Sequence, residues 1–288
     1  MIMLEKNYIQ SLKDLINNGI KSTDRTGIGT LRLINAPIFN IKENIIPILK
    51  GKFISPYNSF TELIWILTGR NDLKWLKDNG VNYWDSWVKD DGTFGPIYGY
   101  QMRSFNGQID QYFNAIKLLI NSPDSRRIIC SLWNPIQQKD MALDPCHCWY
   151  QFISINNKLH LKVYQRSVDS FIGLGYDFML FYYMLHITAY LSNHKIGEIY
   201  TYFGDYHMYL NQFDSVNKYI NNFENNPLNK NLNVEIYFKL QYPEKPADLT
   251  SETLTEWLYK FYELNKNFET NYSDKSNRYG LIKTDVAV

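Results

Sequence analysis

The sequence predicts a mixed α/β or α+β fold in one domain. Segments with helical and with strand-like apolar spacing occur along the same chain. No internal repeat or Pro/Gly/Ser-rich linker divides the 288 residues, and the 45% apolar content is enough to bury a sizeable core.

Leu4, Tyr8, Leu12, Leu15 and Ile16 recur at helical spacing, with Gly19 as a stop. Leu31 to Ile41 reads as extended segments around a turn at Ala36-Pro37. Phe60 to Leu67 reads as a buried helix closed by Gly69, and Gly92 to Gly99 as a Gly/Pro-rich loop. Arg127 to Trp133 is a short apolar strand that ends at Asn134-Pro135. Tyr150 to Ile155 and Leu159 to Tyr164 form two strands joined by a turn at Asn156-Asn157. Asp177 to Leu191 is apolar on nearly every side, as a fully buried helix is. Asn221 to Asn233 reads as an Asn-rich loop, Val234 to Leu240 as a strand, and Ser251 to Leu264 as a capped helix.

The charge balance is nearly even, with 30 Lys and Arg against 29 Asp and Glu. A surface gripping a nucleic-acid backbone carries a marked basic excess, so a polymer partner is not expected. Met1 to Gln10 carries Glu5 and Lys6 and lacks an apolar signal core. The longest apolar stretch, Phe178 to Leu191, is shorter than the ~20 residues of a membrane span. Three cysteines imply no disulfide framework. These features together suggest a soluble, cytoplasmic-type protein.

Pro145-Cys146-His147-Cys148 is the first stretch with chemical content. Three readings of it are open: a partial metal site, a buried inert cysteine, or a thiolate nucleophile. A closed zinc site needs four ligands, and no further cysteine lies near in sequence. A nucleophile needs nearby cations to lower its pKa, for which Arg126, Arg127 and Arg166 are candidates.

Eight segments, in order, resemble the thymidylate synthase family. They are Asp24-Arg-Thr-Gly-Ile-Gly-Thr30, Trp84-Asp-Ser-Trp87, Gly95-Pro-Ile-Tyr-Gly99 and Pro123-Asp-Ser-Arg-Arg-Ile128. The others are Trp133-Asn-Pro135, Met141-Ala-Leu-Asp-Pro-Cys-His147, Tyr164-Gln-Arg-Ser-Val-Asp169 and Gly204-Asp-Tyr-His-Met-Tyr209. The resemblance covers roughly residues 20 to 215 and the last three residues. It implies a single catalytic domain over residues 1–288, a mixed sheet flanked by helices, and a homodimer formed through a sheet face. It also implies 5,10-methylenetetrahydrofolate as co-substrate and a pyrimidine nucleoside monophosphate as acceptor. No metal and no nicotinamide are expected, because the folate carries the carbon and any hydride.

By the same resemblance Cys146 attacks carbon 6 of the ring, which makes carbon 5 nucleophilic. Glu62 is the general acid/base, Tyr98 assists removal of the carbon 5 proton, and His147 belongs to the catalytic group. Arg25, Arg166 and Ser167 bind the phosphate, with Arg126 and Arg127 supplied by the second subunit; Arg suits this fork-shaped recognition better than Lys. Gln165 lines the nucleotide site, and His207 and Tyr209 hydrogen-bond the sugar hydroxyl. Trp84, Asp169, Gly173, Lys52, Tyr176 and Val286 fall on the folate side.

One departure bears on the substrate. The family's Gly-Leu-Pro-Phe-Asn is here Gly173-Leu-Gly-Tyr-Asp177. The asparagine reads uracil, donating to its carbonyl and accepting from its ring N–H. Cytosine presents an amino donor and an unprotonated nitrogen, a pattern that a carboxylate sharing a proton satisfies. Asp177 therefore points to dCMP or CMP, as in the deoxycytidylate hydroxymethylase branch, and to a hydroxymethyl product, whereas the tail and Trp84 resemble the methylating synthases. Against uracil, an ionised Asp177 opposes acceptor to acceptor, at ~1–3 kcal/mol for each unpaired buried group.

Other departures lie at the tail, where Asp285 stands for the family's proline before Val286-Ala-Val288, and at Phe53, where synthases often carry a second basic residue. Tyr202-Phe203 replaces the usual small residue before Gly204. The alternatives are thymidylate synthase proper, methylating dUMP, and a non-catalytic nucleotide- or RNA-binding homologue.

Overall fold

The computed structural model describes residues 2–43, 45–49, 52, 54–225 and 240–267. Helix α1 (Ile2–Asn18) buries Leu4, Tyr8, Leu12 and Leu15 as one stripe, and the Gly19 N–H closes it on the Leu15 carbonyl at 2.9 Å. Strands β1 (Ile20–Ser22), β2 (Thr30–Leu33) and β3 (Phe39–Ile41) follow.

Helix α2 (Pro56–Leu67) begins four residues before the apolar run at Phe60. Ser55 caps it by accepting from the Asn58 N–H, and Pro56 occupies the first turn, where its missing N–H costs nothing. Helices α3 (Leu73–Asp78), α4 (Tyr98–Arg103) and α5 (Gln111–Asn121) lead to β4 (Ile129–Ser131).

Strands β5 (His147–Ile155) and β6 (Lys158–Gln165) form the predicted hairpin. Asn156 and Asn157 both adopt the left-handed conformation, φ 51° and 59°, that a tight two-residue turn requires. After β7 (Val168–Asp169), helix α6 (Leu174–Leu191) buries fourteen of its eighteen residues against α2, β6 and β8. It starts three residues earlier than its apolar pattern suggests, which places Asp177 in its first turn. Strands β8 (Lys195–Phe203) and β9 (Tyr206–Tyr209) and helices α7 (Phe213–Asn225) and α8 (Ser251–Asn265) complete the described elements.

The mixed α/β class holds, with two mixed sheets where one was expected. One runs β1-β2-β9-β7 and the other β3-β8-β6-β5-β4. The chain passes from the five-stranded sheet to the four-stranded one through two short connections, residues 166–167 between β6 and β7 and residues 204–205 between β8 and β9. The expected loop Asn221–Asn233 is helical as far as Asn225, and its remainder lies outside the described residues. So do most of the expected strand Val234–Leu240 and the tail with Asp285 and Val286, as well as Phe53.

One polar knot ties four helices. Arg103 at the end of α4 donates Nε to both Asp110 carboxylate oxygens at 2.9 Å, Nη1 to the Leu67 carbonyl, and Nη2 to Ser251 and Thr255 of α8. Asp110 also caps α5 by accepting from the Phe113 N–H. No described helix is long and apolar enough to cross a membrane.

Candidate active site

Cys146 stands immediately before β5, where the β5–β6 ladder carries a bulge between His147 and Trp149. Bulges re-aim side chains, and here His147 and Cys148 are buried in succession instead of alternating. His147 is paired directly across the ladder with Gln165, so both side chains reach the same place. That place is Asp177. His147 Nε2 lies 3.1 Å from Asp177 Oδ1, and Gln165 Nε2 donates to Oδ2 at 2.8 Å. The other His147 nitrogen lies 2.7 Å from the Tyr150 hydroxyl. Both ring nitrogens are thus engaged by neighbouring side chains.

The backbone around Cys146 is fixed by two residues. Its N–H donates to the Tyr98 hydroxyl at 2.9 Å, and its carbonyl accepts from the Arg166 N–H at 2.8 Å. The Arg166 side chain continues along the same loop, with Nε on the Pro145 carbonyl at 3.0 Å and Nη2 on that of Asp144 at 2.7 Å. Burial pushes the Cys146 thiol above its ordinary range, and the Arg166 charge is the strongest influence pulling it back. Asp177 acts on the same thiol in the opposite sense.

Between Ser59 and Leu67 on α2, Glu62 alone keeps surface open. Tyr83 donates to its Oε2 at 2.5 Å and the Trp84 indole to its Oε1 at 3.2 Å. Burial pushes the carboxyl up to about 7, against the pull of these two hydrogen bonds. A carboxyl poised there both gives and takes protons near neutrality. Trp84 is only 6% exposed, wedged among Trp65, Phe94, Trp87 and Tyr98.

On the other sheet His207 and Tyr209 alternate with buried Tyr206 and Met208, so they share one face. His207 Nδ1 lies 3.3 Å from Asp205 Oδ1, and Arg32 pairs with the second oxygen of Asp205. Arg25 sits in a loop whose Asp24 accepts from the N–H groups of Thr26, Gly27 and Gly29. Its charge is felt at the Tyr209 phenol. Ser167 lies in the connection from β6 to β7. Arg126 and Arg127 are exposed just before β4.

Asp169 Oδ1 accepts from the N–H groups of Phe171 and Ile172, both at 2.9 Å, and Oδ2 from Gln212 at 2.8 Å. Gly173 caps α6 above the Asp169 carbonyl. Lys52 is buried with its ammonium 4.4 Å from the Phe171 ring centre; burial lowers it to about 7, and Asp169 pulls it up. Tyr176 is half-buried, its ring 5.9 Å from that of Tyr83.

The chain's residues 6–254 match the family model of thymidylate synthase. The chain belongs to the thymidylate synthase family. The family transfers one-carbon units, drawing on methylenetetrahydrofolate and a pyrimidine nucleotide. Among the described residues no cluster of three His, Cys, Asp or Glu is placed to hold a metal. The residues present are compatible with a folate: Tyr83 and Tyr176 offer aromatic surface beside Glu62, with the Asp169 carboxylate and the Lys52 ammonium on the α6 side, while Trp84 is nearly buried and offers little.

Cys146, Tyr98, His147, Gln165, Arg166 and Asp177 form one connected group, with Glu62 within electrostatic reach of His147 and Asp177. Tyr83, Tyr150 and Gln212 serve the site without belonging to any motif read from the sequence. Tyr83 stood one residue from a motif, while Tyr150 and Gln212 gave no signal that short-range spacing reveals. Two surface cavities of about 380 and 490 Å³ lie apart from this group, lined by residues between Lys21 and Leu31 and between Leu210 and Asp214.

Proposed function

We propose that this chain transfers a one-carbon unit to carbon 5 of a cytosine nucleotide, dCMP or CMP, and finishes it as hydroxymethyl. The observation that carries the base is the setting of Asp177. Gln165 donates to one of its oxygens, and a ring nitrogen of His147 lies within hydrogen-bond distance of the other. An ionised carboxylate has about four acceptor positions, so those left toward the site still seek donors. The amino group of cytosine supplies one, and a shared proton at the ring nitrogen supplies the other. Uracil can offer its ring N–H to one of these positions but sets its carbonyl, an acceptor, against the other.

In this reading Cys146 adds to carbon 6, and Tyr98 takes part in moving the carbon 5 proton. Glu62 holds and returns protons at its oxygens. Arg166 steadies the loop before the thiol and, with Arg25 and Ser167, holds the phosphate. Arg126 and Arg127 serve the phosphate of the opposite subunit in a homodimer; their exposure at the edge of the five-stranded sheet supports this. His207 and Tyr209 take the sugar, and Trp84, Asp169, Gly173, Lys52 and Tyr176 the folate, which supplies the carbon when bound.

Incubation of the protein with methylenetetrahydrofolate and, separately, dCMP, CMP and dUMP tests the reading. A gain of one hydroxymethyl group on a cytosine nucleotide supports it, and loss of turnover in Cys146→Ser supports the nucleophile. A methyl group on dUMP, with dihydrofolate formed, overturns it in favour of thymidylate synthase proper. No turnover with any nucleotide favours a binding homologue.

A further inference from the structure

Glu62 does not meet the cleft bare, since each of its oxygens is held by a side chain from the segment Tyr83-Trp84. The two donors differ in kind. Trp84 is locked in an aromatic cluster and nearly buried, whereas Tyr83 is 40% exposed and rests its ring on Tyr176. Tyr83 is therefore the one donor that touches both the carboxyl and the open cleft.

We infer that Tyr83 is a positioning residue for the acid/base step, clamping the Glu62 carboxyl and linking it to cleft water through its own hydroxyl. The inference rests on the reading of Glu62 as the acid/base group. A proton leaving the Glu62 carboxyl passes to the Tyr83 oxygen as the phenol proton moves to water, so the phenol is neutral before and after. The reverse transfer reloads the carboxyl. The hydrogen bond also favours the ionised carboxylate, against the burial that disfavours it. The other groups facing Glu62 are His147 and Tyr150 of β5 and Tyr176 and Asp177 of α6. Of these, Asp177 raises and His147 lowers its proton affinity.

The test is Tyr83→Phe in the full-length chain, which removes one hydroxyl from a partly exposed ring. With carbon-13-labelled glutamate, and Glu62→Gln to assign the signal, the Glu62 carboxyl is titrated without ligand. Its midpoint rises by about one pH unit in Tyr83→Phe, since a hydrogen bond to the charged form is lost. The acid limb of the kcat/KM profile moves up with it, kcat at neutral pH falls ~10-fold, and nucleotide Kd stays within about twofold. An unmoved or lowered midpoint overturns the clamp. A wild-type protein inactive on every nucleotide overturns the reaction instead, and the titration, which needs no substrate, still decides whether Tyr83 holds Glu62.

Discussion

His147 and Gln165 face each other across the β5–β6 ladder, and both side chains end on the carboxylate of Asp177. Asp177, the residue proposed to read the base, is thus held from the sheet, although it belongs to the first turn of α6. A substitution at Asp177 changes the donor pattern offered to the base without moving the backbone that carries it. Asp177→Asn is expected to shift preference from cytosine toward uracil by ~10–100-fold, the equivalent of one unpaired buried group. The ratio of kcat/KM for dCMP and dUMP measures it, and an unchanged ratio means that other residues read the base.

Glu62 gives a prediction for stability as well as rate. Its carboxyl titrates near 7 when folded and near 4.5, its ordinary value, when unfolded. Below 4.5 both states hold the proton. Between 4.5 and 7 the unfolded chain releases it first, so the contribution of this group to stability falls as pH rises through that window. Because the carboxyl is partly open to the cleft, the cost above pH 7 is taken as about 1–3 kcal/mol. Glu62→Gln is expected to recover that amount at pH 8 in urea unfolding and none at pH 4, while lowering kcat ~100-fold or more.

Arg166 holds the Asp144 and Pro145 carbonyls and is the strongest influence lowering the Cys146 pKa. Replacing it with Met raises the thiol pKa further and slows alkylation of Cys146 by iodoacetamide at pH 7.5 by about tenfold. Cys130, whose thiol burial pushes up to about 12, remains unlabelled in both proteins. Equal labelling rates at Cys146 would show that other groups set its reactivity.

The Arg103 knot predicts a purely structural loss. Its side chain is 6% exposed and that of Asp110 12%. Arg103→Ala leaves the largely buried Asp110 carboxylate without its counter-charge and the Leu67 carbonyl without its donor, at ~3 kcal/mol or more. The midpoint of thermal unfolding reads this, and the folded fraction should retain its preference among nucleotides.

Much of this arrangement was legible in the residues, and what was hidden was hidden for physical reasons. Asn156-Asn157 announced its turn, and the apolar run of α6 its burial, because both signals are local. Strand β8 gave no such signal. Its buried face carries Gly197, Ile199, Thr201 and Phe203, while Ile196, Tyr200 and Tyr202 lie on the more open one, so hydrophobicity does not alternate with burial. The start of α2 was masked by Pro56, which reads as a breaker but serves as an opening residue. In the site, Cys146, Glu62 and Asp177 stood out through the family motifs and a departure from them. Tyr83 did not, since its contact spans 21 residues and exists only once α2 packs against the segment after α3.

The most direct measurement is a competition: dCMP and dUMP at equal concentration in one reaction with methylenetetrahydrofolate, with the initial products separated and weighed by mass spectrometry. The product ratio gives the ratio of kcat/KM without separate saturation curves. Hydroxymethylated cytosine nucleotide in excess is the predicted result, and methylated dUMP in excess would contradict the role given to Asp177.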